Sequence, residues 1–553
     1  MNDKTKDFGV LYGQKTTADA LLIYSSYEDS KASPQTGDFI VLTPRDEGGQ
    51  KYLARVEAEI YDEDPIFRSQ DKTLVAVHYA RIAERDLSDR DKQKMFSYTY
   101  NVKILGTFSS DGKDFVTAVR KLPTVSYHAR HITPRELDNI LNRSNEAGIE
   151  IGKLCIGTDI KFPDKSILFD IDKLKEKRTM IFSQSGFGKT NLMKVMLYHM
   201  IGDTTYGKLI FDLNGEYCFR SKLTYGLADI SDQKIKENLV LYTDKRFDEK
   251  YRGRFIHGGK VLINMPNHLT ISDILAFGAG FSEVMKSFLI YLDEEQVENF
   301  ITNIDSYVSN PQNLHRDFSD FFGVQKKDKN GYIKEDVSAR KTIMAIRKRI
   351  SRLVDEGKGL HSRSSTMLED IFEHLKKGKT VVVDLSLKDS YDANVVSTIL
   401  TRKLFENNKM FFTEQKDEKV VDCVMCVEEA QNVISEEFVR TNANPFVRVA
   451  KEGRKFKIGM IAITQRPSAI AEEIRSQAEN FFSFYMGNSD DIKALARSNI
   501  NYDGVISKFL QTETIPGNLY MVSARQSFAL PIRVVEFEKL LKDKVYLDSM
   551  LDN

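Results

Sequence analysis

The stretch from Thr179 to Met200 constrains the fold more than any other part of the chain. It reads TMIFSQSGFGKTNLMKVMLYHM. A short apolar run leads into a glycine-containing loop that ends in GKT, and a helical pattern follows. Strand, loop and helix in this order are the context that a phosphate-binding loop requires. The sequence therefore predicts a P-loop at the end of a strand in an α/β domain.

The residue types of this loop match the task of holding phosphate groups. Glycines let the backbone amides approach phosphate oxygens, and the helix N-terminus adds partial positive charge. A lysine would reach the β- and γ-phosphates, and the hydroxyl of Thr190 would ligate Mg²⁺. The candidate phosphate-binding residues are Gln184, Ser185, Gly186, Phe187, Gly188, Lys189, Thr190 and Asn191.

The first position of the signature G-x-x-x-x-G-K-[ST] holds Ser183 in place of glycine. Only a positive φ demands glycine, so serine is tolerated if its φ is negative. We expect Ser183 to be a turn residue away from the phosphate-binding amides.

A pair of carboxylates ends another apolar run, VVDCVMCVEEAQ. Glu428 can hold Mg²⁺ through water, and Glu429 can orient or deprotonate the attacking water. Two carboxylates are also common at an exposed strand end. Their combination with a P-loop favours the catalytic interpretation.

Three further polar residues are candidates because they lie at or next to strand ends. Asp212 follows KLIF and could assist Mg²⁺ or water, or it could cap a turn. Gln465 follows IGMIAIT and could sense the γ-phosphate, or it could hydrogen-bond within a turn. Arg454, in EGRKF, could stabilise developing phosphate charge from the same or a neighbouring subunit, or it could end a solvated basic helix.

The pattern favours ATP over GTP as the nucleotide. No N-K-x-D element for guanine recognition occurs in the sequence, and a long stretch with extra strands separates Lys189 from Glu428. The predicted cofactors are ATP and Mg²⁺.

Hydrophobic patterning divides the chain into two parts. Residues 1–125 contain short alternating strands such as GDFIVL, KYLARVEAEI, TLVAVHYARI and TYNVKILGTF, typical of a small β-barrel. A linker or helix is expected at 126–150. Buried strands then alternate with helices over 151–540, which predicts a doubly wound α/β domain with a helical insertion at about 271–376 and a tail at 541–553.

Composition excludes some functional classes and leaves others open. The chain of 553 residues carries 80 basic and 80 acidic side chains, so any DNA-binding surface has to be local. The polar N-terminus and the absence of an apolar run of about 18 residues predict a cytoplasmic protein without a membrane segment. Cys423 and Cys426 lie three apart in a strand and point oppositely, so we do not expect a metal site there.

Taken together, these segments resemble the HerA family, in the HerA–FtsK branch of P-loop motors. The matching segments are GKLCIGTDI, SGFGKTN, LIFDLNGEY, VVVDLS, VEEAQNVI, AKEGRKFKIGMIAITQRPSAI and ETIPGNLYMVSARQSFALPIRV. They extend over most of residues 150–540. The N-terminal strands are similar to the β-barrel that precedes the motor in this family.

This resemblance implies a RecA-like ATPase core in a homo-hexameric ring that translocates double-stranded DNA. It implies Glu429 as catalytic base, Gln465 as sensor, Arg454 as an arginine finger acting on the neighbouring subunit, and an acidic role for Asp212. It also implies a separate partner, such as a nuclease or a sirtuin-like NAD-consuming enzyme, with antiphage defence as one setting.

The sequence departs from the family pattern at two positions, and two further interpretations are left open. Family members usually have glycine at Ser183, and Gln431 also departs from the family pattern. The basic run IRKRISRL in the insertion could face DNA phosphates or form a solvated helix face. The protein could also be an ATP-binding scaffold that assembles and activates a partner enzyme without processive translocation.

Overall fold

The computed structural model describes most of the chain. The described residues are 6–14, 21–26, 34–45, 49–61, 97–109, 115–141, 148–221, 224–278, 280–290, 297–298, 300–301, 325–327, 333–335, 337–357, 359–441, 444–523, 528–541 and 544–546. Within them, no helix has the length and apolar content needed to span a bilayer.

The N-terminal strands form the predicted β-barrel. They are β1 (Asp7–Gln14), β2 (Leu21–Ser26), β3 (Phe39–Thr43), β4 (Tyr52–Tyr61), β5 (Ser97–Phe108), β6 (Phe115–Val116) and β7 (His128–His131). The order is β2-β1-β7-β3-β4-β5, and β2 also pairs with β5, which closes the ring. The sheet therefore continues beyond residue 125, because β7 pairs with both β1 and β3. The expected strand TLVAVHYARI lies outside the described residues.

Alternation along these strands produces the interior of the barrel. Phe8, Ile23, Ile40, Tyr100 and Val102 are fully buried and belong to one apolar cluster. Their neighbours along each strand point to the other face of the sheet, because successive side chains in a strand alternate.

The remaining strands are β8 (Ile149–Ile156), β9 (Asp159–Ile160), β10 (Ile167–Phe169), β11 (Arg178–Phe182), β12 (Gly207–Asp212), β13 (Leu239–Tyr242), β14 (Ile256–Gly259), β15 (Gln325–Lys327), β16 (Ile333–Glu335), β17 (Thr380–Asp384), β18 (Cys423–Val427), β19 (Ile458–Thr464), β20 (Asn480–Phe484), β21 (Asn518–Val522) and β22 (Leu530–Val534). The main sheet runs β10-β8-β22-β21-β20-β11-β19-β18-β12-β17-β13-β14. Strands β15 and β16 form a separate hairpin.

The strands from β20 to β14 are parallel to one another. The five strands predicted from continuous apolar runs are among them: β11, β12, β17, β18 and β19. The sequence did not predict β13, β14 or β20, and β21, β22, β8 and β10 extend the sheet with antiparallel pairs.

Helices cover both faces of this sheet. They are α1 (Pro134–Leu141), α2 (Lys189–Met200), α3 (Gln233–Asn238), α4 (Met265–His268), α5 (Ile271–Phe277), α6 (Glu283–Ile290), α7 (Val337–Val354), α8 (Met367–Lys376), α9 (Ser390–Thr413), α10 (Glu436–Thr441), α11 (Pro445–Glu452), α12 (Glu472–Arg475), α13 (Ser489–Ser498), α14 (Val505–Thr512) and α15 (Phe537–Leu541).

Each sheet face has its own apolar core. Helix α2 packs with Ile181 in one core, whereas α9 packs with Met180 and Phe182 in the other. The two cysteines of β18 also divide between the cores, with Cys423 in the second and Cys426 in the first. The architecture is thus a mixed α/β fold with a P-loop sheet, preceded by a closed six-stranded barrel.

Helix α7 of the insertion contains the basic run IRKRISRL. Its arginines contact groups within the chain: Arg347 lies 2.5 Å from Asp355, and Arg352 contacts both Asp389 and Asp392. Arg349 donates to the Gly280 carbonyl at 3.0 Å. These contacts favour a structural role for the run over the DNA contact considered above.

Helix α2 carries a histidine that makes folding sensitive to acid. Burial, followed by the nearby Lys234 and Lys544 charges, lowers the pKa of His199 from its ordinary value of 6.5 to about 4. The unfolded chain therefore binds a proton between pH 6.5 and 4 that the folded chain does not bind. Stability is lost as the pH falls through this window.

We predict that His199→Gln weakens this acid sensitivity. Since the side chain is partly exposed, we expect the variant to retain about 2 kcal/mol more of its free energy of unfolding than the wild type on acidification to pH 4. Urea unfolding at several pH values measures this difference. His257→Gln, which changes an exposed histidine, should leave the wild-type pH dependence unchanged. An identical pH dependence for His199→Gln and wild type would contradict this assignment.

Candidate nucleotide site

The loop between β11 and α2 has the backbone of a phosphate-binding loop. Gly186 and Gly188 have φ values of 87° and 112°, which are left-handed and favour glycine. A Cβ at Gly186 would meet open space, so its backbone angle alone explains the glycine there. Gly188 is the N-cap of α2 and supplies no side chain to its first amides. These amides and the helix dipole point to one place, which suits an anion.

Ser183 is compatible with the loop because its φ is not positive. Its side chain is buried, and its backbone N–H donates to the Thr464 carbonyl at 3.2 Å. The hydroxyl donates to the Gln184 carbonyl at 2.8 Å. The backbone at this position therefore anchors the loop to β19, and the serine hydroxyl is used within the loop rather than on phosphate.

Neighbouring segments hold the tip of the loop. The Gln184 N–H donates to the Tyr485 carbonyl at 3.3 Å, and the Gly517 N–H donates to the Phe187 carbonyl at 3.0 Å. The rings of Phe187 and Tyr485 lie 4.6 Å apart. Residues after β20 and before β21 thus position the phosphate-binding amides.

Three of the predicted side chains meet at the carboxyl edge of the sheet. The Lys189 Nζ lies 3.5 Å from Oε1 of Glu429, and the Gln465 amide donates to the same oxygen at 3.2 Å. The Gln431 amide donates to the other oxygen at 2.7 Å. Glu429 itself has a left-handed φ of 47°, which turns its side chain out of the strand direction.

These contacts keep Glu429 ionised. Burial by itself would raise the pKa of this carboxyl, but the Gln431 hydrogen bond and the Lys189 charge outweigh burial and lower it. An ionised carboxylate beside the P-loop lysine can accept a proton. Gln431 also accepts a hydrogen bond from the Thr464 hydroxyl at 2.5 Å, so a residue that departs from the family pattern supports the glutamate.

Glu428 has a different environment from its neighbour. It is buried, and the Tyr217 hydroxyl donates to its Oε1 at 2.6 Å. Burial, followed by repulsion from Asp212, raises the pKa of Glu428 to about 7. A buried carboxyl without a strong cationic partner is the kind of oxygen ligand that suits Mg²⁺.

Asp212 matches the turn-cap alternative rather than direct contact with the nucleotide. Its carboxylate accepts hydrogen bonds from the backbone N–H groups of Gly215, Glu216 and Tyr217 at 2.7, 3.1 and 3.2 Å. Burial raises its pKa to about 6. The aspartate therefore shapes the loop after β12, and the residues of that loop reach the site.

Glu216 and Tyr217 were not assigned from the sequence. Glu216 accepts a hydrogen bond from the Thr190 hydroxyl at 2.7 Å, and Tyr217 holds Glu428. The available signal was the acidic residue in LNGEY, four positions after Asp212. Its pairing with Thr190 depends on how the loop folds back, which a local pattern does not show.

Arg454 lies at the opposite edge of the sheet from the P-loop. Its side chain is 61% exposed and approaches Glu479 at 3.9 Å, next to the amino ends of β11 and β20. The five residues of β11 span about 16 Å. The structure therefore does not bring Arg454 to the Lys189–Glu429 cluster of its own chain.

The fold and the site define a P-loop ATPase. The family model described as the central domain of helicase HerA matches residues 149–404. A DNA double-strand break repair helicase HerA of Sulfurisphaera tokodaii is 25% identical over 68% of this chain and 67% of its own length. A probable helicase of Methanocaldococcus jannaschii is 22% identical over 86% of this chain and 82% of its own length.

Among solved structures, VirB4 of Thermoanaerobacter pseudethanolicus matches with a TM-score of 0.42 and 13% identity, over 71% of this chain and 97% of VirB4. The chain is an ATPase similar to the HerA family, and it uses ATP and Mg²⁺. The family model includes the P-loop and Asp212, whereas Glu428, Glu429 and Gln465 lie beyond its last matched residue.

Proposed function

We propose that this protein is a ring-shaped motor, a homo-hexamer that hydrolyses ATP and moves double-stranded DNA. The observation that carries the hydrolytic part is the Lys189–Glu429–Gln465 cluster at the carboxyl edge of the parallel sheet. The DNA part is supported by similarity to the HerA family, in which one relative is named a DNA double-strand break repair helicase.

Each residue of the site has a chemical task in this proposal. The P-loop residues Gln184–Asn191 would hold the phosphates, with Lys189 on the β- and γ-phosphate oxygens. Thr190 and Glu428 would hold Mg²⁺, which neutralises charge developing on the phosphates. Glu216, hydrogen-bonded to Thr190, would order that ligand.

Hydrolysis requires a base and a group that orients water. The oxygen of the attacking water would bond to the γ-phosphorus while the bond between that phosphorus and the β–γ bridging oxygen breaks. Glu429 would take the proton that the water loses. Gln465 would orient that water, and Gln431 fixes the carboxylate. Asp212 acts at a distance, because it shapes the loop that carries Glu216 and Tyr217.

The position of Arg454 supports a site shared between subunits. Because it lies at the amino edge, with a side chain that is largely exposed, it is available to the nucleotide of a neighbouring copy rather than its own. An arginine supplied in this way stabilises charge in the transition state. We propose a hexamer on this basis. Following the resemblance to the HerA family, we also propose a separate nuclease or NAD-consuming enzyme as effector, with antiphage defence as one setting. The proposed location is the cytoplasm.

DNA dependence of ATP turnover tests the function. We expect double-stranded DNA to stimulate ATP turnover by the wild type, and Lys189→Ala to abolish both basal and stimulated turnover, because the phosphates lose their cation. A phosphate-release assay with and without duplex DNA measures this. Turnover by intact rings with bound partner that does not respond to DNA would favour the scaffold alternative instead.

Mixing variants tests the shared site. We expect Arg454→Ala to bind ATP normally but to lower turnover by roughly 10³-fold, as loss of an arginine finger does. Glu429→Gln should also bind ATP without turnover. Rings that contain both variants should regain activity, because some interfaces then combine an intact arginine with an intact glutamate. Lys455→Ala, an exposed neighbour, is the matched control and should keep turnover. Normal turnover by Arg454→Ala would exclude the finger.

A further inference from the structure

A second cavity lies on the same sheet edge as the nucleotide site. It has a volume of about 590 Å³ and lies where β13 and β14 end. Four basic side chains line it, and we call it the cationic pocket: Lys245, Arg246, Arg252 and Lys260. In the sheet, β13 is five strands from β11, which corresponds to about 24 Å. The cationic pocket is therefore separate from the P-loop.

The positive charge of the pocket is largely uncompensated. Arg246, Arg252 and Lys260 are exposed, and none of them contacts a carboxylate among the described residues. Asp244, the acidic residue in the described lining, is engaged by Lys388 at 2.8 Å. In a chain with 80 basic and 80 acidic residues, such a cluster is a local surface for an anion.

The aromatic rings that form the apolar wall of the pocket pack against one another. The rings of Phe247 and Phe255 are 5.4 Å apart, and Phe219 stacks on Phe247 at 5.6 Å. Phe255 and Tyr251 are buried. Since these rings pack against one another, the pocket offers charge rather than a free stacking platform, which fits phosphate groups better than bases.

We propose that the cationic pocket binds the phosphate backbone of double-stranded DNA. This assignment rests on the proposed function, because it names where the DNA of the motor is held. Arginine and lysine side chains on a concave surface are the groups that contact backbone phosphates. Such contacts are independent of sequence, as a motor that moves along DNA requires.

The structure also connects this pocket to the nucleotide. The Lys245 ammonium lies against Gly215, where an added Cβ would collide with it, and pairs with the buried Asp384 at 3.4 Å. Gly215 directly precedes Glu216, which accepts the hydrogen bond of Thr190. A phosphate that draws Lys245 towards the pocket would therefore act on the loop that holds a magnesium ligand. DNA bound here would raise ATP turnover.

Salt-dependent binding of a labelled DNA duplex tests the assignment. The full-length protein with Mg²⁺ and a non-hydrolysable ATP analogue is titrated over a range of NaCl concentrations. For Arg246→Gln/Arg252→Gln we expect weaker binding, and the slope of log affinity against log salt to fall by about 2, one for each lost phosphate contact. Basal ATP turnover should stay at the wild-type level, while stimulation by subsaturating DNA should fall.

The matched control is Lys409→Gln/Lys539→Gln, which removes two exposed positive charges elsewhere. It should retain the wild-type slope. One outcome is that the wild type binds DNA while both double variants keep its DNA affinity and its salt slope. In that case the cationic pocket is not the DNA site, although the motor proposal stands. If the wild type does not bind duplex DNA at all, the proposed function fails and this assignment fails with it.

Discussion

The parallel pairing of β11, β19 and β18 is the constraint on which the site depends. Because the three strands are adjacent and run in one direction, their carboxyl ends meet at one edge of the sheet. Lys189, Gln465 and Glu429 follow these three ends, and the left-handed backbone of Glu429 turns its carboxylate towards the lysine. Residues 240 positions apart in the sequence thus become contacts. The P-loop by itself would bind phosphate, and in the proposed mechanism the neighbouring strands add Glu429 as the base and Gln465 as the group that orients water.

The two adjacent glutamates that follow β18 have different surroundings. Asp212 fixes the loop after β12 through three backbone amides, so that Tyr217 reaches Glu428 and Glu216 reaches Thr190. Burial and the nearby aspartate raise the pKa of Glu428 to about 7, whereas burial is outweighed at Glu429 by Gln431 and Lys189, which lower its pKa. Glu429 is therefore ionised, whereas Glu428 carries its charge against the cost of burial, which a bound cation would offset. The same loop lies against Lys245 of the cationic pocket, so it is in contact with both regions.

The sequence predicted the parts of this structure that depend on local patterns. Continuous apolar runs predicted β11, β12, β17, β18 and β19, and polar residues directly after such runs predicted Glu429 and Gln465 as site residues, which the structure places in contact with each other. The sequence did not predict the strands and side-chain contacts that depend on tertiary packing. The short strands β13 and β14 lack a long apolar run. The strands from β21 to β10 extend the sheet by antiparallel pairing, and the hydrophobic periodicity along a single strand does not predict which strand it pairs with. The contacts of Glu216, Tyr217 and Gln431 depend on how loops fold back across the sheet edge. Asp212 looked catalytic because it ends a buried strand, yet three amides of its own loop occupy it.

We propose that ATP turnover at this site moves the protein along DNA. It is tested most directly by displacement of a third strand from a duplex, with the time before displacement measured as a function of the duplex length to be crossed. We expect ATP-dependent displacement by the wild type after a delay that grows in proportion to length, and no displacement by Glu429→Gln. Stimulation of ATP turnover by DNA without any displacement of the third strand would contradict it and would assign ATP to a switch rather than a motor.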